Sequence, residues 1–347
     1  MKKILLFLTL SLLFLISCGK TDTAKDETGG ETKTEASAEK SNVKVAIVYS
    51  VGGLGDHSFN DAAQRGLEKA KNELGIEYVG YEPKDPTSEA EGQLRTYAES
   101  GEYDLIIATG FMMKDALVTV AGEFPEQKFA ITDERVPELS NVASLTFKEH
   151  EGSFLAGALA AMTTKTDTVG FIGGAEAPLI QKFEAGYQQG AKYVKPDIKV
   201  LAVYIGGTNA FHDPASAKSR TEAIVGQEAD IVYHASGSSG QGMFQAAKDK
   251  GVFAIGVDSN QDDLFPGTIL TSMLKKVDVA VYDLVKNVKE DKFEGKVYEF
   301  GVKEGGVGLT DFEFTKDKIG EENIKKLEEI KEKIASGEIV VSPTVSK

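Results

Sequence analysis

Tryptophan is absent from the 347 residues, and cysteine occurs once, at position 18. A single cysteine excludes an intrachain disulfide and any cysteine-built metal cluster. Histidine is scarce too. His57, His150, His212 and His234 stand far apart, with no His-Glu-x-x-His run and no pair one helical turn apart. No zinc or other metal site is therefore expected. Basic residues are outnumbered, 39 Lys and Arg against 54 Asp and Glu, for a formal net charge of −15. Phosphate contacts need Lys and Arg, so nucleic acid is not an expected partner. Proline is thin, 9 residues beside 36 glycines, which suits tight strand-to-helix turns better than a Pro-rich disordered chain. Gly52-Gly53-Leu54-Gly55 and Gly173-Gly174 do not extend to a dinucleotide fingerprint, and no phosphate-binding P-loop occurs. Gly237-Ser238-Ser239-Gly240-Gln241-Gly242 lacks the Gly-x-Ser-x-Gly spacing of a nucleophile elbow. With no catalytic constellation and no cofactor motif, the chain is expected to bind rather than to react.

What is present begins at the N-terminus. Lys2 and Lys3 precede the apolar run Ile4–Ile16. That run is too short for a bilayer core of about 30 Å, which needs roughly 20 residues. It fits the apolar region of a secretory signal. Leu15-Ile16-Ser17-Cys18 then resembles a bacterial lipobox, which implies cleavage before Cys18 and a diacylglycerol on its thiol. An ordinary signal that happens to end in Cys is the alternative. Acyl chains add about 0.8 kcal/mol per buried CH₂, so two or more anchor stably. Residues 19–42 contain no Val, Ile, Leu, Met or aromatic residue. Nothing there offsets the entropy of ordering, so a solvated tether is expected, with a Glu/Lys/Ala helical stalk as the alternative. The expected organisation is a signal peptide over 1–17, a lipidated Cys and tether over 18–42, and a folded part from 43 onward. The anchor would hold it at the cell membrane, facing periplasm or exterior.

From Val43 short apolar runs alternate with helical periods. Strands are expected at Val43–Tyr49, Glu77–Tyr81, Asp104–Thr109 and Lys128–Thr132, with a helix over Asn60–Leu74 whose Ala63, Gly66, Leu67, Ala70 and Leu74 share a face. The pattern restarts after Phe147. A helix over Gly152–Met162 is followed by strands at Thr168–Ile172, Lys199–Tyr204, Asp230–His234 and Val252–Gly256. Helices over Pro178–Val194, Pro214–Val225 and Gly240–Lys250 join them. Strands alternating with helices of this length predict βαβ units and parallel sheets. Leu270–Leu274 reads as a strand returning toward the first half, with a helix over Val277–Val288 after it. A charged amphipathic helix over Ile319–Ser336 ends the chain. The fold class is thus α/β, two doubly wound parallel-sheet lobes with a cleft and hinge between them. The first lobe is assigned 43–147 plus about 274–295, the second 148–270 plus about 296–347. In such sheets ligands sit beyond the carboxyl ends of strands.

A set of short motifs follows those strands in order. They are Gly55-Asp56-His57-Ser58-Phe59-Asn60-Asp61, Lys148-Glu149-His150-Glu151-Gly152-Ser153-Phe154, Phe183-Glu184-Ala185-Gly186-Tyr187, Tyr204-Ile205-Gly206 with Phe211 and Asp213, His234-Ala235-Ser236-Gly237, Ile255-Gly256-Val257-Asp258 and Thr271-Ser272-Met273-Leu274-Lys275. Each is weak alone, but the ordered set, from about Val43 to Val341, resembles the basic membrane protein family of substrate-binding lipoproteins, the purine-nucleoside-receptor type. The stretch Gly207–His212 is slightly longer than that family's usual spacing. The resemblance implies a type I periplasmic-binding fold, an ABC permease as partner, a monomer, and a purine nucleoside as ligand.

A nucleoside needs flat apolar surfaces for its base, and base–aromatic stacking is worth roughly 1–3 kcal/mol. Phe59 and Phe211 follow strands in opposite halves and suit a clamp; helix packing is the other reading of each. Asn60 and Asp61 offer donors and acceptors to a base edge, yet they also stand where a helix begins and capping explains them as well. Asp56 and Asp133 are either cleft contacts or turn residues. Asp258, after the strand ending at Val257, is the candidate reader of the ribose hydroxyls, because charge-assisted bonds are strong. Lys275 would neutralise it and donate to a ribose oxygen, whereas Lys276 reads as a surface residue. Gly237 would let backbone approach the sugar. Other small solutes such as a sugar or autoinducer, or a surface adhesin, stay open as alternatives.

Overall fold

A computed structural model describes residues 43–345. The expected signal peptide, Cys18 and the tether lie outside the described residues. The first half runs β1 (Lys44–Val48), α1 (Phe59–Leu74), β2 (Glu77–Tyr81), α2 (Pro86–Ser100), β3 (Leu105–Ala108), α3 (Lys114–Glu123), β4 (Phe129–Thr132) and β5 (Val142–Phe147). The second runs α4 (Glu149–Thr163), β6 (Thr168–Gly173), α5 (Pro178–Val194), β7 (Lys199–Tyr204), α6 (Pro214–Val225), β8 (Ile231–Ala235), α7 (Gly240–Lys250), β9 (Phe253–Asp258) and β10 (Ile269–Lys275). The chain then adds α8 (Val277–Lys289), β11 (Val297–Phe300), β12 (Val307–Leu309), α9 (Lys316–Ile319) and α10 (Glu321–Ser336).

These strands form two six-stranded sheets, ordered β11-β5-β4-β3-β1-β2 and β12-β10-β9-β8-β6-β7. The first is parallel throughout, and in the second only β12 is antiparallel. The central strands β3, β4, β5, β6 and β8 are buried along their whole length. Strands covered by helices on both faces are expected to be continuously apolar or small, and these are, apart from His234 in β8. No repeat of residues links the halves, yet the strand order repeats. Each sheet reverses direction at an equivalent place, between β1 and β3 in one and between β6 and β8 in the other. Such a reversal opens a crevice at the strands' carboxyl ends.

The sequence assignment of the lobes differs from the sheets in two places. β10 is an inner strand of the second sheet through Lys275, so it does not return toward the first half. β11 pairs with β5, so the first lobe extends to Phe300 rather than ending near 295. Val297–Phe300 is a half-buried edge strand with no apolar run of its own, and only its pairing partner reveals its sheet. The chain therefore crosses between lobes at 148, at 276 and over 301–306. These crossings are bonded together: Lys148 N–H donates to the Phe300 carbonyl (3.0 Å) and Lys276 N–H to that of Gly306 (2.9 Å). The Glu151 carboxylate accepts from Val302 N–H at 2.8 Å.

Helix packing explains many of the small residues. A Cβ on Gly157 of α4 would fall 2.0 Å from the Tyr187 carbonyl oxygen, and one on Gly190 of α5 1.9 Å from that of Phe154. The two helices thus meet backbone to backbone. α8 returns to pack on α1, where a Cβ at Gly66 would lie 2.5 Å from the Asp278 carbonyl oxygen.

Candidate functional site

Between the sheets, at their carboxyl ends, lies a cavity with about 530 Å³ of empty space, part of it open to solvent. Ser50 and Val51 after β1, and Gly110 and Phe111 after β3, come from the first lobe's reversal point. Ala235, Ser236 and Gly237 come from the end of β8, at the second lobe's. Leu179, Ile180 and Phe183 of α5 add an apolar wall. Three half-buried rings face this space: Phe59 and Phe111 from one lobe, Phe211 from the other. Phe111 and Phe211 meet edge to face, with centroids 6.4 Å apart.

The loop before α1 is organised by Asp56. Its carboxylate accepts from the backbone N–H groups of Ser58 (2.8 Å), Asn60 (2.9 Å) and Asp61 (3.2 Å), and from the Asn60 side-chain amide (3.1 Å). These are the orphan donors of the helix start, which a carboxylate is suited to satisfy. Burial pushes the Asp56 carboxyl up to about 6 despite those bonds. Asn60 in turn accepts from Ser50 N–H at 2.9 Å, tying α1 to the end of β1. Phe59, the first helical residue, is presented to the cavity by this frame. Asp61 does not line the cavity. Its two oxygens accept from Gly55 N–H (2.7 Å) and His57 N–H (2.9 Å), so it fastens the loop before α1, and the helix-start donors are taken by Asp56 instead.

The polar end of the cavity is a buried charge cluster. The Lys275 ammonium lies 2.8 Å from Asp133 and 3.7 Å from Asp258. It also stands 4.5 Å from the centre of the Phe59 ring, a cation–π distance. Burial works against its charge, but Asp133, Asp258 and Glu149 outweigh it and hold the ammonium well above its ordinary range. The nearest partner of Lys275 is thus Asp133, not Asp258 as expected from sequence. One Asp133 oxygen is buried without a hydrogen-bond partner. Glu149, wholly buried at the first crossing, pairs with Lys182 at 3.2 Å and also has an unpartnered oxygen. Burial raises its carboxyl to about 7, against the pull of Lys182 and Lys275.

The lobes touch across the mouth of the cleft. Ser58 Oγ donates to Asp258 (2.6 Å), Ser259 Oγ donates to the Ser58 carbonyl (2.8 Å) and Arg65 donates to Ser259 Oγ (2.7 Å). Gly174 leaves room for Phe211, since a Cβ there would fall 2.5 Å from the ring. Gly237, at φ 54°, lies against the Phe211 backbone, with 3.1 Å from a Cβ to its carbonyl oxygen.

Asp56, Phe59, Asn60, Asp133, Phe211, Gly237, Asp258 and Lys275 therefore converge on one cavity, and Asp61 stands behind it. Phe111, Leu179, Ile180 and Ser236 line the same space but were not singled out from sequence. Phe111 carried a usable signal, because it directly follows Gly110 at the end of a strand. Leu179 and Ile180 carried none, since apolar residues on α5 are equally expected in a core.

Comparison with known proteins agrees with this architecture. Residues 43–344 match the family model for Bmp, ABC transporter substrate-binding protein PnrA-like. The chain is 34% identical to a CD4+ T-cell-stimulating antigen of Listeria innocua, covering 98% of this chain and 99% of that one. It is 35% identical to the ABC transporter nucleoside-binding protein BmpA of Lactococcus lactis, covering 86% and 88%. Among solved structures, an ABC transporter solute-binding protein from Aeropyrum pernix K1 superposes with a TM-score of 0.79 at 33% identity, covering 88% of this chain and 94% of that one. Two type I periplasmic-binding lobes, a cleft at both reversal points and a match over the whole described region lead to one conclusion: the chain belongs to the Bmp family of PnrA-like ABC transporter substrate-binding proteins.

Proposed function

We propose that this protein is a lipid-anchored receptor that closes its lobes on a purine nucleoside and delivers it to an ABC permease, working as a monomer held by Cys18. The observation that carries the reading is the pairing of two surfaces in one cavity. Phe59 and Phe211, from opposite lobes, offer apolar faces, and the Asp133–Lys275–Asp258 cluster offers charged partners beside them. A base suits the rings and a diol suits the carboxylates. A free sugar would leave the rings idle, and a bare base would leave the unpartnered Asp133 oxygen without a donor, at a cost of roughly 1–3 kcal/mol. The name of the Lactococcus lactis relative supports the same class of ligand.

Mass spectrometry of small molecules released from the denatured protein should find a purine nucleoside. Calorimetry should show inosine or guanosine binding far more tightly than ribose, and Phe59→Ala should weaken that binding about tenfold or more, as the loss of one stacked ring implies. Ribose binding on a par with inosine, or an unweakened Phe59→Ala protein, would rule the clamp out.

A further inference from the structure

His234, next to last in β8, is wholly buried and takes no part in the contacts described so far. Its ring occupies a slot that only glycine at position 240 leaves open, since a Cβ there would fall 2.0 Å from the ring carbon Cε1. One nitrogen, Nδ1, lies 3.1 Å from Ser236 Oγ, and the other, Nε2, lies 3.2 Å from the Gln261 side-chain oxygen. Ser236 borders the cavity and is wholly buried in this closed arrangement. Gln261 reaches the opposite lobe, where its Nε2 donates to the His57 carbonyl at 3.1 Å. A continuous path of hydrogen bonds thus joins the cavity wall to the closed mouth of the cleft.

The donor and acceptor roles along this path follow from the groups at its ends. The Gln261 oxygen accepts from Val257 N–H at 2.7 Å. Flipping the amide would set a donor against that N–H and an oxygen against the His57 carbonyl, so its orientation is determined. His234 must then present Nε2–H to the Gln261 oxygen. Burial keeps the ring neutral, pulling its ionisation down to about 4. A neutral ring with Nε2–H has a bare Nδ1, which can only accept, so the Ser236 hydroxyl donates its proton to it. Toward the cavity Ser236 is left as an acceptor.

We propose that His234 and Gln261 are positioning residues that hold Ser236 as a hydrogen-bond acceptor for a ligand N–H or O–H and couple that contact to closure of the lobes through the His57 carbonyl. A ligand donor at Ser236 polarises its hydroxyl and strengthens the bond to His234, and each bond in such a chain supports the next. The relay rests on the nucleoside reading only for the identity of the ligand.

The test begins without ligand. Nitrogen NMR of the histidine rings should show His234 with Nδ1 unprotonated, and Ser236→Ala should move the Nδ1 resonance and leave Nε2 nearly still. A protonated Nδ1, or no response to Ser236→Ala, overturns the assignment. Inosine should then shift the same Nδ1 resonance, and Gln261→Glu, which keeps the acceptor but opposes a carboxylate to the His57 carbonyl, should weaken inosine binding about tenfold through faster dissociation. Combined with Ser236→Ala it should cost less than the two separate losses together. Inosine that binds without moving the resonance, or strictly additive losses, overturns the coupling. If wild-type protein binds no nucleoside, the ligand class is at fault. The relay then stands or falls on the tautomer and on small-angle scattering, in which Gln261→Glu should be more extended than wild type.

Discussion

Asp258 and Asp133 share an unusual backbone, with φ of 64° and 67° at the carboxyl ends of β9 and β4. Left-handed conformations cost a non-glycine residue of order 1 kcal/mol and persist where the surroundings over-determine them. Both carboxylates stand near Lys275, Asp258 from the neighbouring strand of the same lobe and Asp133 from across the cleft. If Asp258 reads the ribose hydroxyls, the wild type should prefer inosine to 2′-deoxyinosine by about ten- to a hundredfold, the worth of a bond to a charged group. Asp258→Ala should bind both weakly and lose most of that preference. Calorimetry of two ligands against two proteins decides it, and an equally discriminating mutant would move the hydroxyl contact elsewhere. Glu149 leads to a second expectation. Its carboxyl is held at about 7 in the folded protein against an ordinary 4.5. The native state therefore keeps a proton that the unfolded chain has lost, and this contribution, fully present below about 4.5, disappears as pH rises through 7. Thermal melts between pH 4.5 and 7 should fall less steeply for Glu149→Gln than for wild type.

At the scale of elements, the α4–α5 crossing is where the chain tolerates least. Both helices carry glycines where their backbones touch, and α5 brings Leu179, Ile180 and Phe183 to the cavity. A methyl group at Gly157, 2.0 Å from a carbonyl oxygen, must force the helices apart. Overpacking of this kind costs typically 1–3 kcal/mol. Gly157→Ala should lower the urea midpoint accordingly and weaken ligand binding by displacing the apolar wall. Gly122→Ala, at a position with open space around it on α3, should leave binding unchanged and, if anything, raise the midpoint, because Ala is the better helix former. A raised midpoint for both substitutions would show that the better helix propensity of Ala outweighs the close approach at Gly157.

At the scale of the molecule, three crossings bonded to one another make a hinge, and the bonds across the mouth of the cleft hold the lobes shut. Closure of this type lets a ligand be enclosed from both sides. The proposed anchor at Cys18 would keep the protein beside a permease. Among the described residues no helix is long and apolar enough to cross one. Attachment through Cys18 should therefore be testable by one substitution. Cys18→Ser should leave the precursor uncleaved at this site and abolish incorporation of labelled palmitate, and unchanged labelling would exclude that residue as the anchor.

The two-lobe α/β class was legible in the sequence because buried parallel strands must be short apolar runs, and runs such as Leu105–Ala108 and Phe129–Thr132 are unmistakable between helical periods. The cavity residues after those strands were legible for the same reason: the ends of such strands are where ligands bind. Local chemistry offered Asp61 a cap or a ligand contact, whereas the tertiary structure has it fasten the loop at Gly55 and His57. β11 joined the first sheet through pairing with β5, a contact between segments far apart in the chain that no local pattern encodes. The preference of Lys275 for Asp133 over Asp258, and the path from Ser236 through His234 to Gln261, likewise depend on distances between strands and across lobes. Periodicity and residue type determine what each segment can become. Which polar groups share a buried space is decided by the packing of the two sheets, because burial makes every unpaired charge and donor seek a partner that only the tertiary structure brings within reach.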